Sequence, residues 1–98
     1  MTIQKTKNGS ELIIAPEGRL DTMTAPELEA ELKASLDGVT ALTIDLTELE
    51  YLSSAGLRVL LSAQKTMNNQ GEMKVTGVNE TIMEIFEVTG FSDILTIE

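Results

Sequence analysis

The apolar residues of this chain change their spacing along the sequence between the period of a strand and the period of a helix, and this alternation limits the folds that it can adopt. Between Ala41 and Leu46 the apolar residues Leu42, Ile44 and Leu46 alternate with the polar residues Thr43 and Asp45, as in a strand with one covered face. Between residues 28 and 36 leucine recurs at every fourth position, as on one face of a helix. Strands that are connected through crossover helices run parallel to one another. The pattern therefore predicts an α/β fold with a partly parallel sheet.

The predicted elements follow one another in the order β-β-α-β-α-β-α-β. Strands are expected at about 2–7, 11–15, 41–46, 72–76 and 94–97, and helices at about 24–37, 57–67 and 79–89. Asn8-Gly9 favours a type I′ hairpin between the first two strands, which adds an antiparallel edge. Pro16 has no N–H to donate and is expected to end the second strand or to lie on an edge. We therefore expect a mixed sheet of about five strands with three main helices packed against it.

The expected helix ends rest on capping residues. Thr24 and Glu27 form the pattern of a capping box before the first helix, in which each side chain bonds the backbone N–H of the other residue. Asn79 is a suitable N-cap for the third helix. Gly38 and Gly90 can adopt the left-handed conformation that ends a helix.

The composition excludes several classes of function. The 98 residues suit one small domain that spans 1–98. Sixteen Asp and Glu residues outnumber seven Lys and Arg residues, and the net charge of −9 disfavours direct binding of nucleic acid. The chain has no Cys and no His, which excludes disulfides, Cys/His zinc sites, thiol nucleophiles and triads with a histidine base. Without a phosphate-binding loop or a metal-ligand pattern, we expect no enzymatic activity, no cofactor and no metal.

The sequence also bears on where the chain acts. No apolar run approaches the ~20 residues of a membrane-spanning helix, so membrane insertion is not expected. The first residues lack the apolar run of a secretory signal. We expect a cytoplasmic protein that is a monomer when free.

The segment from Leu49 to Leu61 combines features that an ordinary helix start lacks. Ser53 and Ser54 precede an apolar helical run, and Gly56 lies in its first turn, where glycine costs roughly 1 kcal/mol against alanine. In one interpretation a serine caps the helix and the glycine allows close packing. In the other, one serine accepts a phosphoryl group, which the free N–H groups and the positive end of the helix dipole would stabilise. The spacing alone leaves both interpretations open.

Asp21 is a second candidate, because it lies in the loop between the second strand and the first helix. The loop before a crossover helix and the loop after the next strand can fall at the same end of an α/β sheet, where sites usually lie. Asp21 could then accept a hydrogen bond from a serine hydroxyl and repel a phosphate. It could equally be an ordinary residue of the helix approach.

Two motifs in this chain resemble those of STAS domains, specifically the stand-alone bacterial anti-sigma factor antagonists. They are Gly18-Arg19-Leu20-Asp21 and Tyr51-Leu52-Ser53-Ser54-Ala55-Gly56-Leu57, with Asp45-Leu46 on the central strand between them. The resemblance covers nearly the whole length. It implies a partner-switching cycle in which the unphosphorylated protein binds an anti-sigma factor, often a serine kinase, and so frees a sigma factor for transcription. Phosphorylation by that kinase breaks the complex, and a PP2C-type phosphatase restores it.

The family pattern Asp-Ser-(Ser/Thr)-Gly-Leu, with its first serine phosphorylated, assigns roles to the residues of the second motif. Ser54 takes the place of the phosphoacceptor, Gly56 that of the glycine, and Ser53 that of the aspartate. The change from Asp to Ser removes a carboxylate beside the acceptor, so phosphorylation of Ser53 is a conceivable alternative. The resemblance implies a partner-binding surface that includes Asp21, Thr22, Ser53, Ser54 and Gly56.

A second hypothesis keeps the fold and changes the role. STAS-like proteins also serve as unphosphorylated subunits of membrane transporters or lipid-transfer complexes, and such a subunit would carry no phosphate on Ser54. The absence of phosphate and a membrane-bound partner would distinguish it from an anti-sigma factor antagonist.

Overall fold

The computed structural model describes all 98 residues and begins with an antiparallel hairpin. Strand β1 (Thr2–Asn8) pairs with β2 (Glu11–Leu20) from Asn8↔Glu11 to Thr2↔Glu17. Of the turn residues only Gly9 has a positive φ, of 66°, whereas a type I′ turn needs positive φ at both central residues. The hairpin is therefore confirmed, but the predicted type I′ turn is wrong. A positive φ at the first central residue alone is the pattern of a type II′ turn.

Strand β2 continues for five residues beyond the predicted end at residue 15. The expectation that Pro16 ends the strand or lies on an edge is wrong, because β2 runs on through Pro16 and lies between β1 and the parallel strands β3 and β4. Pro16 falls between Ile14, where the pairing with one parallel neighbour ends, and Gly18, where the pairing with another begins. The missing N–H of Pro16 thus interrupts neither of the two parallel ladders.

The remaining elements alternate along the chain. They are α1 (Ala25–Ser35), β3 (Ala41–Asp45), β4 (Leu49–Leu52), α2 (Ser54–Asn68), β5 (Glu72–Thr76), α3 (Glu80–Thr89) and a 3-10 turn (Phe91–Asp93). The sheet has five strands in the order β1-β2-β3-β5, with β4 paired to the end of β2. Apart from the β1–β2 hairpin, the strand pairings are parallel. The mixed α/β sheet with three main helices is therefore confirmed.

The identity of the five strands differs from the predicted order. Strand β4 was not predicted, because it lacks the alternation of buried and exposed residues that marks a strand. Glu50 is an extra residue opposite the Gly18–Arg19 step, which forms a β-bulge. Leu49 and Leu52, three positions apart, are therefore both buried. The predicted last strand at 94–97 is wrong, since that segment contributes only one bridge, Val75↔Ile97, beside β5. The observed order is β-β-α-β-β-α-β-α.

The core lies on one face of the sheet. Residues Leu12 and Ile14 of β2 and Leu42 and Ile44 of β3 are almost fully buried, whereas the alternate positions of both strands are exposed or half-buried. The predicted leucine face of α1 packs into this core, and Phe86 of α3 is completely buried. The period-2 pattern of β3 and the period-4 pattern of α1 thus identified the core residues of these two elements correctly.

Gly71 lies where β5 begins beside the start of β3. A Cβ at this position would lie within 2.6–2.7 Å of the Thr40 carbonyl carbon and Cα. The same carbonyl oxygen accepts a hydrogen bond of 2.9 Å from the N–H of Glu72. Only a residue without a side chain fits here, because the obstacle is backbone that the first β3–β5 contact holds in place.

We predict that Gly71→Ala lowers the free energy of unfolding by about 1–3 kcal/mol, the cost of forcing extra atoms into a packed position. Urea denaturation followed by circular dichroism measures the change. Thr66→Ala, on the exposed side of α2, serves as the control and should stay within about 0.5 kcal/mol of wild type. Equal stability of Gly71→Ala and wild type would contradict the close approach.

Candidate functional site

The two predicted site segments meet at the carboxyl ends of β2 and β4. Leu20 pairs with Leu52, and the N–H of Ser53 donates a hydrogen bond of 2.9 Å to the Leu20 carbonyl oxygen. Asp21 and Ser53 therefore follow directly after paired residues. The expectation that their loops share one end of the sheet is confirmed, although the second loop follows the unpredicted strand β4.

The two adjacent serines have different environments at the start of α2. Ser53 is the N-cap: its backbone is extended, with φ −94° and ψ 175°, and its Oγ accepts a hydrogen bond of 3.4 Å from the N–H of Gly56. Ser53 is half-buried. Ser54 is the first helical residue and is exposed to solvent. The structural role and the accessible hydroxyl thus belong to different serines.

Gly56 is buried beneath the first turn of α2. A Cβ on this residue would lie 2.6 Å from Cδ1 of Leu52 and 2.8 Å from Cγ of Leu20. The glycine therefore lets the helix start approach the paired leucines of β2 and β4. Gly56 thus stabilises the position of the helix start that carries the two serines, and because it is buried it is not available for contact with a partner.

Asp21 organises the loop to which it belongs. Its Oδ1 accepts hydrogen bonds from the N–H groups of Met23 (3.0 Å) and Thr24 (3.2 Å). The Thr24 hydroxyl accepts from the Asp21 N–H at 2.9 Å and donates to the Arg19 carbonyl oxygen at 2.7 Å. The predicted Thr24–Glu27 capping box is therefore wrong, because Asp21 supplies the acceptor for the Thr24 N–H.

The hydrogen bonds within the loop also set the ionisation of Asp21. Partial burial opposes the charged form, but the N–H groups of Thr24 and Met23, the Thr24 hydroxyl and the Arg19 charge together outweigh it. The pKa of Asp21 is consequently lowered from its ordinary value of 3.8. The carboxylate is committed to its own loop and makes no hydrogen bond to Ser54, while the neighbouring Thr22 is exposed.

Four further residues at this end of the sheet were not predicted as site residues. The Arg19 guanidinium lies 4.3 Å from the centroid of the Tyr51 ring, on paired strands, and 3.9 Å from Oδ2 of Asp21. Met23 is 82% exposed, and Arg58 is exposed one helical turn after Ser54. Arg19, Arg58 and Tyr51 are the only arginines and the only tyrosine of the chain. Arg19 and Tyr51 lie within the two motifs and Arg58 follows the second directly. These positions were the signal that could have identified them, because Arg and Tyr are enriched in protein interfaces.

No three or more carboxylates come together where they could hold a metal ion. None of the helices has the length and apolar character that crossing a membrane requires.

Comparison with known proteins gives consistent matches over the whole chain. A family model described as the STAS domain matches residues 2–98. An anti-sigma factor antagonist of Bordetella bronchiseptica, BtrV, is 36% identical over 99% of this chain and 85% of its own length. The anti-sigma-B factor antagonist of Listeria monocytogenes is 34% identical over 96% of this chain and 84% of its own. The crystal structure of an anti-sigma factor antagonist from Mycobacterium paratuberculosis superposes with a TM-score of 0.88 at 25% identity, covering 98% of this chain and 83% of that one.

We predict that Ser53→Ala lowers the free energy of unfolding by about 1 kcal/mol, because the Gly56 N–H loses its acceptor. Ser53→Asp should retain most of the stability, since a carboxylate also caps a helix. Urea denaturation measures both changes, with Ser62→Ala on the exposed side of α2 as the control. A loss in Ser53→Ala no larger than in Ser62→Ala would show that the cap is dispensable.

We also predict that Asp21 contributes to acid unfolding. Because its pKa is lower in the folded chain than the ordinary 3.8, its ionised form favours folding. This contribution is fully present above pH 3.8 and disappears as the pH falls through the lower folded-state pKa. Asp21→Asn should therefore lose less stability than wild type when the pH is lowered from about 5 to about 2.5, a range that brackets the titration of an ordinary Asp. Glu84→Gln, on the exposed side of α3, is the control and should lose as much stability as wild type. The midpoint of urea denaturation at each pH measures the stability. Parallel losses in wild type and Asp21→Asn would refute the assignment.

Proposed function

This chain belongs to the STAS domain family, and from that premise we propose that it is an anti-sigma factor antagonist whose partner binding is switched off by phosphorylation of Ser54. The unphosphorylated chain binds an anti-sigma factor that is also a serine kinase, and a PP2C-type phosphatase reverses the modification. In this role the chain is a regulatory binding protein without catalytic activity. It acts in the cytoplasm on sigma-factor-dependent transcription without contacting nucleic acid.

The choice of Ser54 over Ser53 is supported by their different exposure and bonding. Ser53 is half-buried and its Oγ accepts the hydrogen bond from the Gly56 N–H, so a phosphoryl group there would displace the helix cap. The Ser54 side chain is exposed on the first residue of the helix. A kinase can reach its hydroxyl without disturbing the fold, and this accessibility is the observation on which the proposal rests.

A phosphate on Ser54 would change the charge of this surface without unfolding it. It would sit at the positive end of the helix dipole and add about −1.5 to −2 charges. Arg58 lies four residues later on α2, within the spacing at which helical side chains interact. The phosphate is therefore tolerated by the domain itself, and its effect falls on a bound partner through repulsion and loss of fit.

We define the docking surface as the exposed or half-buried residues at this end of the sheet: Asp21, Thr22, Met23, Tyr51, Ser53 and Ser54. The Asp21 turn holds the backbone N–H of Met23, so that this exposed apolar side chain is presented from an ordered loop. The Arg19–Tyr51 stack holds the ring on the neighbouring strand. Gly56 contributes by seating the helix start, and its role is support.

The proposal is tested by binding to the anti-sigma factor encoded in the same genome, measured by calorimetry. Ser54→Ala should bind like wild type, whereas Ser54→Asp and Ser54→Glu should bind at least about tenfold more weakly, because a charge is placed in the interface without a partner. Ser10→Asp, in the hairpin turn at the opposite end of β2, carries the same charge change and should bind like wild type.

Mass spectrometry of the protein from its native host provides the second measurement. Fragmentation between residues 52 and 61 should place the phosphate on Ser54 and leave Ser53 unmodified. Full binding by the acidic Ser54 variants, with folding intact, would overturn the proposed switch. Phosphate on Ser53 alone would overturn the choice of serine.

A further inference from the structure

Helix α2 has the opposite charge to the rest of the chain. Helix α1 contains three glutamates and one lysine, and α3 contains three glutamates and no cation. Helix α2 is the only one of the three without a carboxylate, and its charged residues are Arg58 and Lys65. On a chain of net charge −9, the exposed side of α2 is therefore a positively charged exception.

The two cations lie on one stripe that begins at Ser54. Positions 54, 58, 61 and 65 are separated by four, three and four residues, the spacing of side chains along one face of a helix. Ser54, Arg58 and Lys65 are exposed, and Leu61 between the cations is half-buried. We call these four residues the α2 stripe. It continues the proposed docking surface along the helix, because Ser54 belongs to both.

Neither cation of the α2 stripe is paired within the chain. Arg58 and Lys65 take part in no salt bridge. The carboxylates of Glu29 and Asp37 line the groove between α1 and α2, but neither cation of the stripe lines it. Four of the seven cationic side chains, in contrast, lie within 4.0 Å of a carboxylate: Lys5, Arg19, Lys33 and Lys74. The charges of the stripe are therefore available to a partner.

The direction of the switch determines which charge that partner carries. This step rests on the proposed function, in which a phosphate on Ser54 releases the partner. The phosphate adds about −1.5 to −2 charges, which would strengthen the binding of a basic segment and weaken that of an acidic one. Release therefore requires an acidic segment beside Ser54, and an acidic segment is also what Arg58 and Lys65 attract.

A protein segment fits this surface better than nucleic acid does. Nucleic acid is a long polyanion that needs many cationic contacts, and the stripe offers two on a domain of net charge −9. A short acidic segment touches only the stripe and avoids most of the carboxylates elsewhere on the surface. Leu61 adds an apolar contact between the two charges, as in the centre of protein interfaces.

We propose that the α2 stripe binds an acidic segment of the partner, in which two carboxylates about 10 Å apart pair with Arg58 and Lys65. This spacing follows from seven residues at about 1.5 Å per residue. A phosphate on Ser54 pairs with Arg58, four residues later, and repels the acidic segment. Arg58 thus exchanges a carboxylate of the partner for the phosphate of its own helix, and the partner loses one of its two charge contacts.

The first test is calorimetry with the anti-sigma factor encoded in the same genome. Arg58→Gln should raise the dissociation constant about tenfold and Lys65→Gln about threefold, because each leaves a carboxylate of the partner without its cation. Lys7→Gln, on the exposed edge of β1, removes an equal charge that also lacks a salt bridge and should bind like wild type. All three side chains are exposed, and circular dichroism verifies that the variants remain folded.

The second test identifies the partner's chemistry directly. A carbodiimide joins a lysine amine to a carboxylate as an amide, with loss of water, only where the two groups are in contact. Mass spectrometry of the treated complex should find Nζ of Lys65 joined to an Asp or Glu of the partner. Cross-links from other lysines of this chain without one from Lys65 would overturn the proposal.

The two measurements separate this inference from the proposed switch. Wild-type affinity of Arg58→Gln and Lys65→Gln, with binding lost in Ser54→Asp, would overturn the acidic segment and leave the switch intact. Equal weakening by the Arg58, Lys65 and Lys7 variants would show an effect of net charge alone and would also overturn it. Full binding by Ser54→Asp would overturn the switch itself and the inference that rests on it.

Discussion

The pairing of Leu20 with Leu52 is the contact on which the proposed switch depends. It brings the end of β2 beside the end of β4, and the hydrogen bond from the Ser53 N–H to the Leu20 carbonyl oxygen extends that pairing into the start of α2. Gly56 then allows the helix to sit directly on both leucines. Without this arrangement the Asp21 loop and the two serines would be separate surface features. With it, they form one continuous surface that is supported by the core.

In the same region, neighbouring residues divide two roles: one stabilises the backbone and the next is exposed to solvent. Ser53 is held by the backbone on one side and caps the helix on the other, whereas Ser54 projects into solvent one residue later. Asp21 is likewise engaged by its own loop, which keeps the exposed Thr22 and Met23 in place. A modification of the exposed hydroxyl can therefore alter a partner's binding while the fold stays unchanged, which is what a reversible switch on a small domain requires.

The sequence patterns predicted the elements whose apolar residues repeat regularly. The leucine face of α1, the alternation of β3 and the glycine after α3 were all found as expected, because each reflects local geometry or burial on one face. The prediction failed at β4, at the continuation of β2 through Pro16 and at residues 94–97. In each case the partner strand decides: a bulge at Glu50, a gap between two ladders, or a single bridge to Val75 cannot be recognised from one segment alone.

The candidate site divides in the same way. The sequence by itself determined the residue types and their order: two serines before an apolar helix, a glycine in its first turn, and an aspartate before the preceding helix. Those are chemical properties of single positions. Only the tertiary structure decided that Ser53 is the cap and Ser54 the exposed hydroxyl, that Asp21 binds its own loop, and that Arg19 stacks on Tyr51. Exposure and hydrogen bonding depend on neighbours that are distant in sequence, and strand pairing is what brings them together.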